Sequence, residues 1–198
     1  MQVVLDAEAV AADDRAVDAA LRCIARWGLV KTTVDDVARE AGVARATLYR
    51  LFPGGRDALL GAVVAREVDR VTSLLAAAAA GATTLEDALV ACAVAASMAA
   101  REHAALQFLL AHEPESVLPH LAFQGLDDLL ARAAEAAGPL LAPWLADPED
   151  RARGAEWLAR VVLSYTLAPS PDVDPADPVS ARAFIRAFIL PGLPRSIV

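Results

Sequence analysis

Only three residues, Gly42-Val43-Ala44, separate two short stretches of helical periodicity, Val34 to Ala41 and Arg45 to Phe52. No other feature constrains the chain so tightly. A turn this short after a helix needs left-handed backbone at its first residue, which glycine adopts without steric cost. Helices of this length do not persist alone in water, so both must bury their apolar faces against a third element. The stripe Val17, Ala20, Leu21, Ile24 and Trp27 supplies it, in a helix expected from about Ala9 to Trp27 and ended by Gly28. Val37, Ala38, Ala41, Val43, Leu48 and Phe52 knit the two short helices to that stripe. Arg45, Ala46, Thr47, Tyr49 and Arg50 are left facing outward on the amino-terminal part of the second helix, the part that enters a major groove in a helix-turn-helix. Thr33 stands as N-cap, and Asp35 and Asp36 in the first turn suit the helix dipole.

Pro53-Gly54-Gly55 breaks the second helix, and Arg56-Asp57 opens a long one reaching about Ala80. Further helices are expected at Thr84 to Arg101, Glu102 to His112, Leu118 to Ala137, Pro148 to Leu167 and Pro178 to Ile189, with Thr84 and Asp87 resembling a capping box. The proline-rich run Ala168 to Asp177 is a loop. The fold class is all-α: an amino-terminal three-helix domain with the helix-turn-helix, residues 1–56, then a larger helical domain, residues 57–198. With 57% hydrophobic residues but only 5% aromatic, the chain favours closely packed helices and is not disordered.

The longest uncharged stretch, Val71 to Leu85, is too short to span a bilayer. The acidic start MQVVLDAEAVAADD does not resemble a secretion signal, so a cytoplasmic location is expected. Cys23 and Cys92 read as buried, reduced thiols. A net charge of -8 argues against an unspecific nucleic-acid coat, but its distribution matters. Residues 1–70 carry 10 basic and 11 acidic side chains, whereas Ala41 to Arg56 holds three arginines and no carboxylate.

Nothing supports catalysis. His103, His112 and His120 lack metal spacing, and His112-Glu113-Pro114-Glu115 lacks the second histidine of a zinc-protease helix. No phosphate-binding glycine loop, glycine-flanked serine or Cys-x-x-Cys occurs. Asp127-Asp128 reads as a solvated face. No cofactor and no metal are expected.

The block TTVDDVAREAGVARATLYRLFP, within about residues 14 to 66, resembles the TetR family of transcriptional regulators. The resemblance implies that Arg45, Ala46, Thr47 and Arg50 contact base edges or nearby phosphates, and that Thr33, Tyr49 and Arg56 anchor phosphates. An arginine fork can bond O6 and N7 of guanine, and Ala46 can meet a thymine methyl. Three positions depart from the family's pattern. Ala44 stands where serine usually caps the recognition helix, Leu51 replaces a frequent histidine, and Gly54-Gly55 lengthens the following loop.

The resemblance further implies a ligand pocket and a dimer. Leu89, Cys92, Met98, Phe108, Leu109, His112, Phe123, Gln124, Trp157 and Tyr165 match a mostly apolar pocket with a few polar selectors, or alternatively fill a core. Leu158, Val161, Val162, Phe184, Ile185, Phe188 and Ile189 on the last two long helices are expected to pair with a second copy, or to bury each other. The function that follows is a homodimeric repressor that binds double-stranded palindromic operator DNA and is released by a small apolar effector. The competing class is a soluble apolar-ligand carrier or helical enzyme whose helix-turn-helix is only scaffolding.

Overall fold

The computed structural model describes residues 2–117 and 124–193, with side chains described for 12–116 and 126–193. Among these residues every regular element is helical. The order is α1 (Gln2–Trp27), α2 (Val34–Ala41), α3 (Arg45–Leu51), α4 (Arg56–Ala79), α5 (Leu85–Glu102), α6 (Ala104–His112), α7 (Pro114–Val117), α8 (Gln124–Ala137), α9 (Pro148–Leu167) and α10 (Pro178–Phe184). Three short pieces complete it: a 3-10 turn at Gly138–Leu141, a π-helical turn at Ile185–Ile189 and a 3-10 turn at Leu190–Gly192.

Several boundaries differ from expectation for local reasons. α1 begins at Gln2 rather than near Ala9. His103 caps α5 in extended backbone and separates it from α6, with neither glycine nor proline to signal the break. The last helix widens to a π turn at Ile185, and Pro191, which has no amide hydrogen, prevents its further extension. Residues 118–123 of the helix expected from Leu118, with His120 and Phe123, lie outside the described residues, as does the Gln124 side chain. No single described helix is long and apolar enough to cross a membrane.

The chain packs into two compact units, Met1–Glu67 with Ala104–Leu118, and Val68–His103 with Pro119–Val198. The boundary expected at residue 56 marks the start of α4, whose first half stays with the helix-turn-helix, and α6 packs against α1 in the same unit. The core of this first unit holds Val17, Ala20, Ile24, Val37, Leu48, Phe52, Leu59 and Val63, all under 9% exposed. Trp27, expected on the apolar stripe, is 37% exposed, and the Arg26 guanidinium lies 5.6 Å from its ring centroid.

A polar network fastens the turn after α1. Gly28 has φ 86°, and a Cβ there would sit 2.0 Å from Glu113 Oε1. That closeness lets Glu113 Oε2 accept hydrogen bonds from the Leu29 and Val30 amides, at 2.8 and 3.1 Å. On the same turn, Arg56 Nη2 donates to the Leu29 carbonyl at 2.7 Å and Nε to the Thr32 carbonyl at 3.3 Å. The Thr32 hydroxyl donates to the Gly28 carbonyl at 2.6 Å.

In the second unit Leu75, Leu89, Cys92, Leu145, Leu158, Ile185 and Ile189 form the core, with Trp157 packed against it. A Cβ at Gly192 would meet the Trp157 ring at 2.4 Å, so only glycine admits that indole. Glu86 on α5 receives Arg182 Nη1 at 2.8 Å and Arg186 Nη2 at 2.7 Å, and Arg101 pairs with Asp174. Cys23 and Cys92 are buried, free thiols, and burial pushes Cys92 up to about 11, which leaves it protonated and unreactive near neutrality.

Arg186 and then Arg182 hold the Glu86 carboxyl below its ordinary 4.5. Arg101 does the same for Asp174, and the Thr33 hydroxyl for Asp36, below their ordinary 3.8. Their contribution to stability is complete above those ordinary values and is lost as pH falls through the lower folded values. The melting temperature should therefore be level at neutral pH and fall below about pH 4.5. Glu86→Gln should shrink that fall in a pH series of thermal melts. Gly28→Ala should lower the unfolding free energy by about 1–3 kcal/mol in urea titration, from left-handed strain and the Glu113 clash together.

Candidate nucleic-acid interface

The geometry of the helix-turn-helix starts from two caps. Thr33 adopts extended backbone (φ -104°, ψ 161°), and its hydroxyl accepts from the Asp36 amide at 3.2 Å. The same hydroxyl donates to Asp36 Oδ2 at 2.5 Å, while the Thr33 amide reaches that oxygen at 3.2 Å, closing the capping box. The hydroxyl hydrogen is thus committed inside the helix start, and a phosphate would have to take it from the carboxylate. At the other end Gly42, φ 67°, takes left-handed backbone, and its amide returns to the Arg39 carbonyl. α3 then begins at Ala44 with no side-chain cap, as the alanine requires.

Leu48 is 1% exposed and Phe52 6%, and their burial fixes the rotation of α3. Arg45, Ala46, Tyr49 and Arg50 consequently face solvent, with Thr47 half-buried between them. Arg50 makes no hydrogen bond or ion pair among the described residues. Arg45 is held on two sides. Its Nε lies 3.0 Å from Asp35 Oδ1 and its Nη1 donates to Asp35 Oδ2 at 3.0 Å. Its Nη2 approaches the Tyr49 hydroxyl at 3.5 Å, and its guanidinium carbon lies 5.5 Å from the Tyr49 ring centroid. The Tyr49 hydroxyl and then the Asp35 charge hold the guanidinium in its protonated form. The Arg45 and Asp35 side chains are 63% and 49% exposed, and ion pairs so wet contribute little to stability.

These residues surround an open cleft of about 500 Å³ lined by Val30, Thr32, Thr33, Val34, Asp35, Arg45, Tyr49 and Arg56. Four of the seven residues expected at the DNA contact, Thr33, Arg45, Tyr49 and Arg56, therefore share one concavity, and Ala46, Thr47 and Arg50 lie beyond it along α3. Arg56 spends two donors on the Leu29 and Thr32 carbonyls and so also builds the cleft wall. Sequence reasoning missed Asp35 as part of this site. Its position in a first helical turn offered a sufficient dipole role, and its partner lies ten residues away.

The residues expected to line a pocket are distributed between the two units. Phe108, Leu109 and His112 lie on α6 in the first, where the His112 ring stacks on Phe108 at 4.4 Å and its Nδ1 lies 3.1 Å from the Phe108 carbonyl oxygen. Leu89, Cys92, Met98, Trp157 and Tyr165 lie in the second, where Leu89 and Cys92 are core and Met98 is 46% exposed. The Ser97 hydroxyl, on a residue 4% exposed, is buried with no hydrogen-bond partner, and no periodicity in the sequence marks it. Of the residues expected at a dimer contact, Leu158, Ile185 and Ile189 are buried within their own unit. Val161, Val162 and Phe184 are half-buried, and Phe188 is 71% exposed. Among the described residues no group of three histidine, cysteine or carboxylate side chains could hold a metal ion.

Residues 16–63 match the model for bacterial regulatory proteins of the tetR family. An uncharacterised HTH-type transcriptional regulator from Mycobacterium tuberculosis is 28% identical over 180 residues, covering 91% of this chain and 84% of its own. Two solved structures share the fold. The TetR family repressor AlkX from Dietzia sp., implicated in biodegradation of n-alkanes, superposes with TM-score 0.66 and 22% identity, over 89% of this chain and 94% of its own. The fatty acid degradation regulator FadR from Bacillus halodurans does so with TM-score 0.56 and 19% identity, over 88% and 90%. Residues 16–63 thus match the helix-turn-helix domain of the tetR family of bacterial regulatory proteins, which are DNA-binding transcriptional regulators.

Proposed function

We propose that the chain is a ligand-responsive repressor that binds a palindromic operator as a homodimer. The observation that carries this reading is the outward, partner-free Arg50 beside Arg45 on a helix whose other face is sealed by Leu48. Residues 1–56 act as the reading head, in which Arg45, Ala46, Thr47 and Arg50 meet base edges or nearby phosphates. Tyr49, Arg56 and Thr33 fix the register on the backbone, which positions the protein without selecting sequence. Two heads on one dimer meet half-sites roughly 34–36 Å apart, or a multiple of that.

Residues 57–198 act as the effector and dimer domain. Phe188 and Val179, 71% and 77% exposed, and Leu167 at 40% are apolar groups that a second copy would cover. Val161, Val162 and Phe184 flank them, while Leu158, Ile185 and Ile189 back the surface from the core. The effector is a small, largely apolar molecule. Support comes from two regulators of like fold, one implicated in biodegradation of n-alkanes and the other a fatty acid degradation regulator. Ser97 is the polar selector, because a buried hydroxyl without a partner gains when a ligand bonds it. The effector works by favouring a conformation in which α4 changes the separation of the heads, with a coupling of about 1–3 kcal/mol, and DNA weakens effector binding reciprocally.

Fluorescence anisotropy with labelled duplex from the DNA upstream of its own coding region tests the reading. Salt-sensitive, sequence-preferring binding is expected, and its absence would count against a regulator. Arg50→Ala should relax preference at one base pair by about 1–3 kcal/mol, whereas an Arg56 variant should weaken all sequences alike. Phe188→Arg should convert a dimer to a monomer in sedimentation velocity. An unchanged sedimentation coefficient would place the interface elsewhere.

A further inference from the structure

We propose that Asp35 is a specificity-determining positioning residue that aims Arg45 at a guanine and penalises every DNA sequence that lacks one there. The inference rests on the operator-binding reading above. An exposed arginine ordinarily samples many rotamers, and ordering it on a base costs conformational entropy at the moment of binding. Here the ordering is present beforehand. Both Asp35 oxygens lie 3.0 Å from Arg45 nitrogens, and the Tyr49 ring and hydroxyl limit the guanidinium on another side.

Donor arithmetic leaves the group competent. A guanidinium has five N–H donors. One donates to Asp35 and one approaches Tyr49, so three remain, more than the two that O6 and N7 of guanine accept.

The pair does little for the fold, being about half exposed or more on both sides. Its charge has a second effect. Asp35 lines the cleft with Thr33, Arg45, Tyr49 and Arg56, where an approaching phosphate backbone would be repelled by its carboxylate. That repulsion acts on all sequences equally. The aimed arginine recovers affinity only where a guanine accepts its fork. Asp35 therefore lowers unspecific affinity and raises the ratio of specific to unspecific binding, and the pair stays formed on DNA.

The test uses the full-length protein with a library of duplexes carrying a randomised central segment, and with one fixed random-sequence duplex at constant salt. Wild type should enrich a sequence containing a guanine preference that Arg45→Ala abolishes. Asp35→Asn, which keeps the side-chain shape, should weaken that preference by about fivefold or more. It should also bind the random duplex about threefold or more tightly. Asp35→Glu should restore part of the preference, and in the Arg45→Ala background Asp35→Asn should no longer alter it. A merely structural role for Asp35 would move the thermal melt and not this position-specific preference. An unchanged preference in Asp35→Asn, or survival of every wild-type guanine preference in Arg45→Ala, overturns the inference and leaves the regulator reading standing. A wild-type protein that enriches no sequence overturns both.

Discussion

A helix of seven residues has no independent existence in water, because nucleating it costs more than its few hydrogen bonds return. α3 exists because Leu48 and Phe52 are sealed against α1 and α2, with Val37 and Ala38 completing the seam. Every other property of the amino-terminal unit depends on that burial. It sets which side of α3 is outward and hence which residues can meet DNA. It also explains why the reading head needs α1: a two-helix motif alone has too little apolar surface to hold its own orientation.

A second, polar constraint fixes the turn that precedes this motif. The Gly28–Thr32 turn is pinned by Glu113, Arg56 and its own Thr32 hydroxyl, so its amides and carbonyls are satisfied by groups distant in sequence. Thr33, the N-cap of α2, follows immediately. The cleft between the turn and α3 is thus bounded on one side by apolar packing and on the other by charge-assisted hydrogen bonds, which keep their geometry better than loop contacts alone would. Arg56 shows how one side chain can serve both purposes. Two of its donors hold the wall of the cleft that it also lines.

Much of this was legible beforehand, and the reasons are local. Gly42, Thr33 and the four-residue step from Val37 to Ala41 are short-range signals: Gly42 and Thr33 have their expected conformation, Val37 is buried and Ala41 is half-buried against the same core. The cap at Thr84 marks a later helix in the same way. What escaped notice depends on distance in sequence. Glu113 lies 84 residues from the amide it binds, and Arg45 reaches back ten residues to Asp35. Neither partner has a pattern that announces it. The π turn at Ile185 carries no punctuation residue, whereas the helix break expected between Arg101 and Glu102 falls close by, at His103. Leu158, Ile185 and Ile189 illustrate a further ambiguity: an apolar stripe does not state whether its cover is the same chain or another.

The net charge of -8 resolves in the same terms. Most of it lies after residue 70, while three arginines and no carboxylate occupy Ala41 to Arg56, so attraction to DNA is confined to a small face. Under the proposed homodimer, a face that small binds well only when two copies are held at a set spacing and each finds its own half-site. Hydroxyl-radical footprinting on a duplex enriched by the wild-type protein measures that spacing directly. Two protected patches are expected on one face of the duplex, their centres about one helical turn apart or a whole multiple of it. A single patch, or uniform protection along the duplex, would contradict the proposed homodimer.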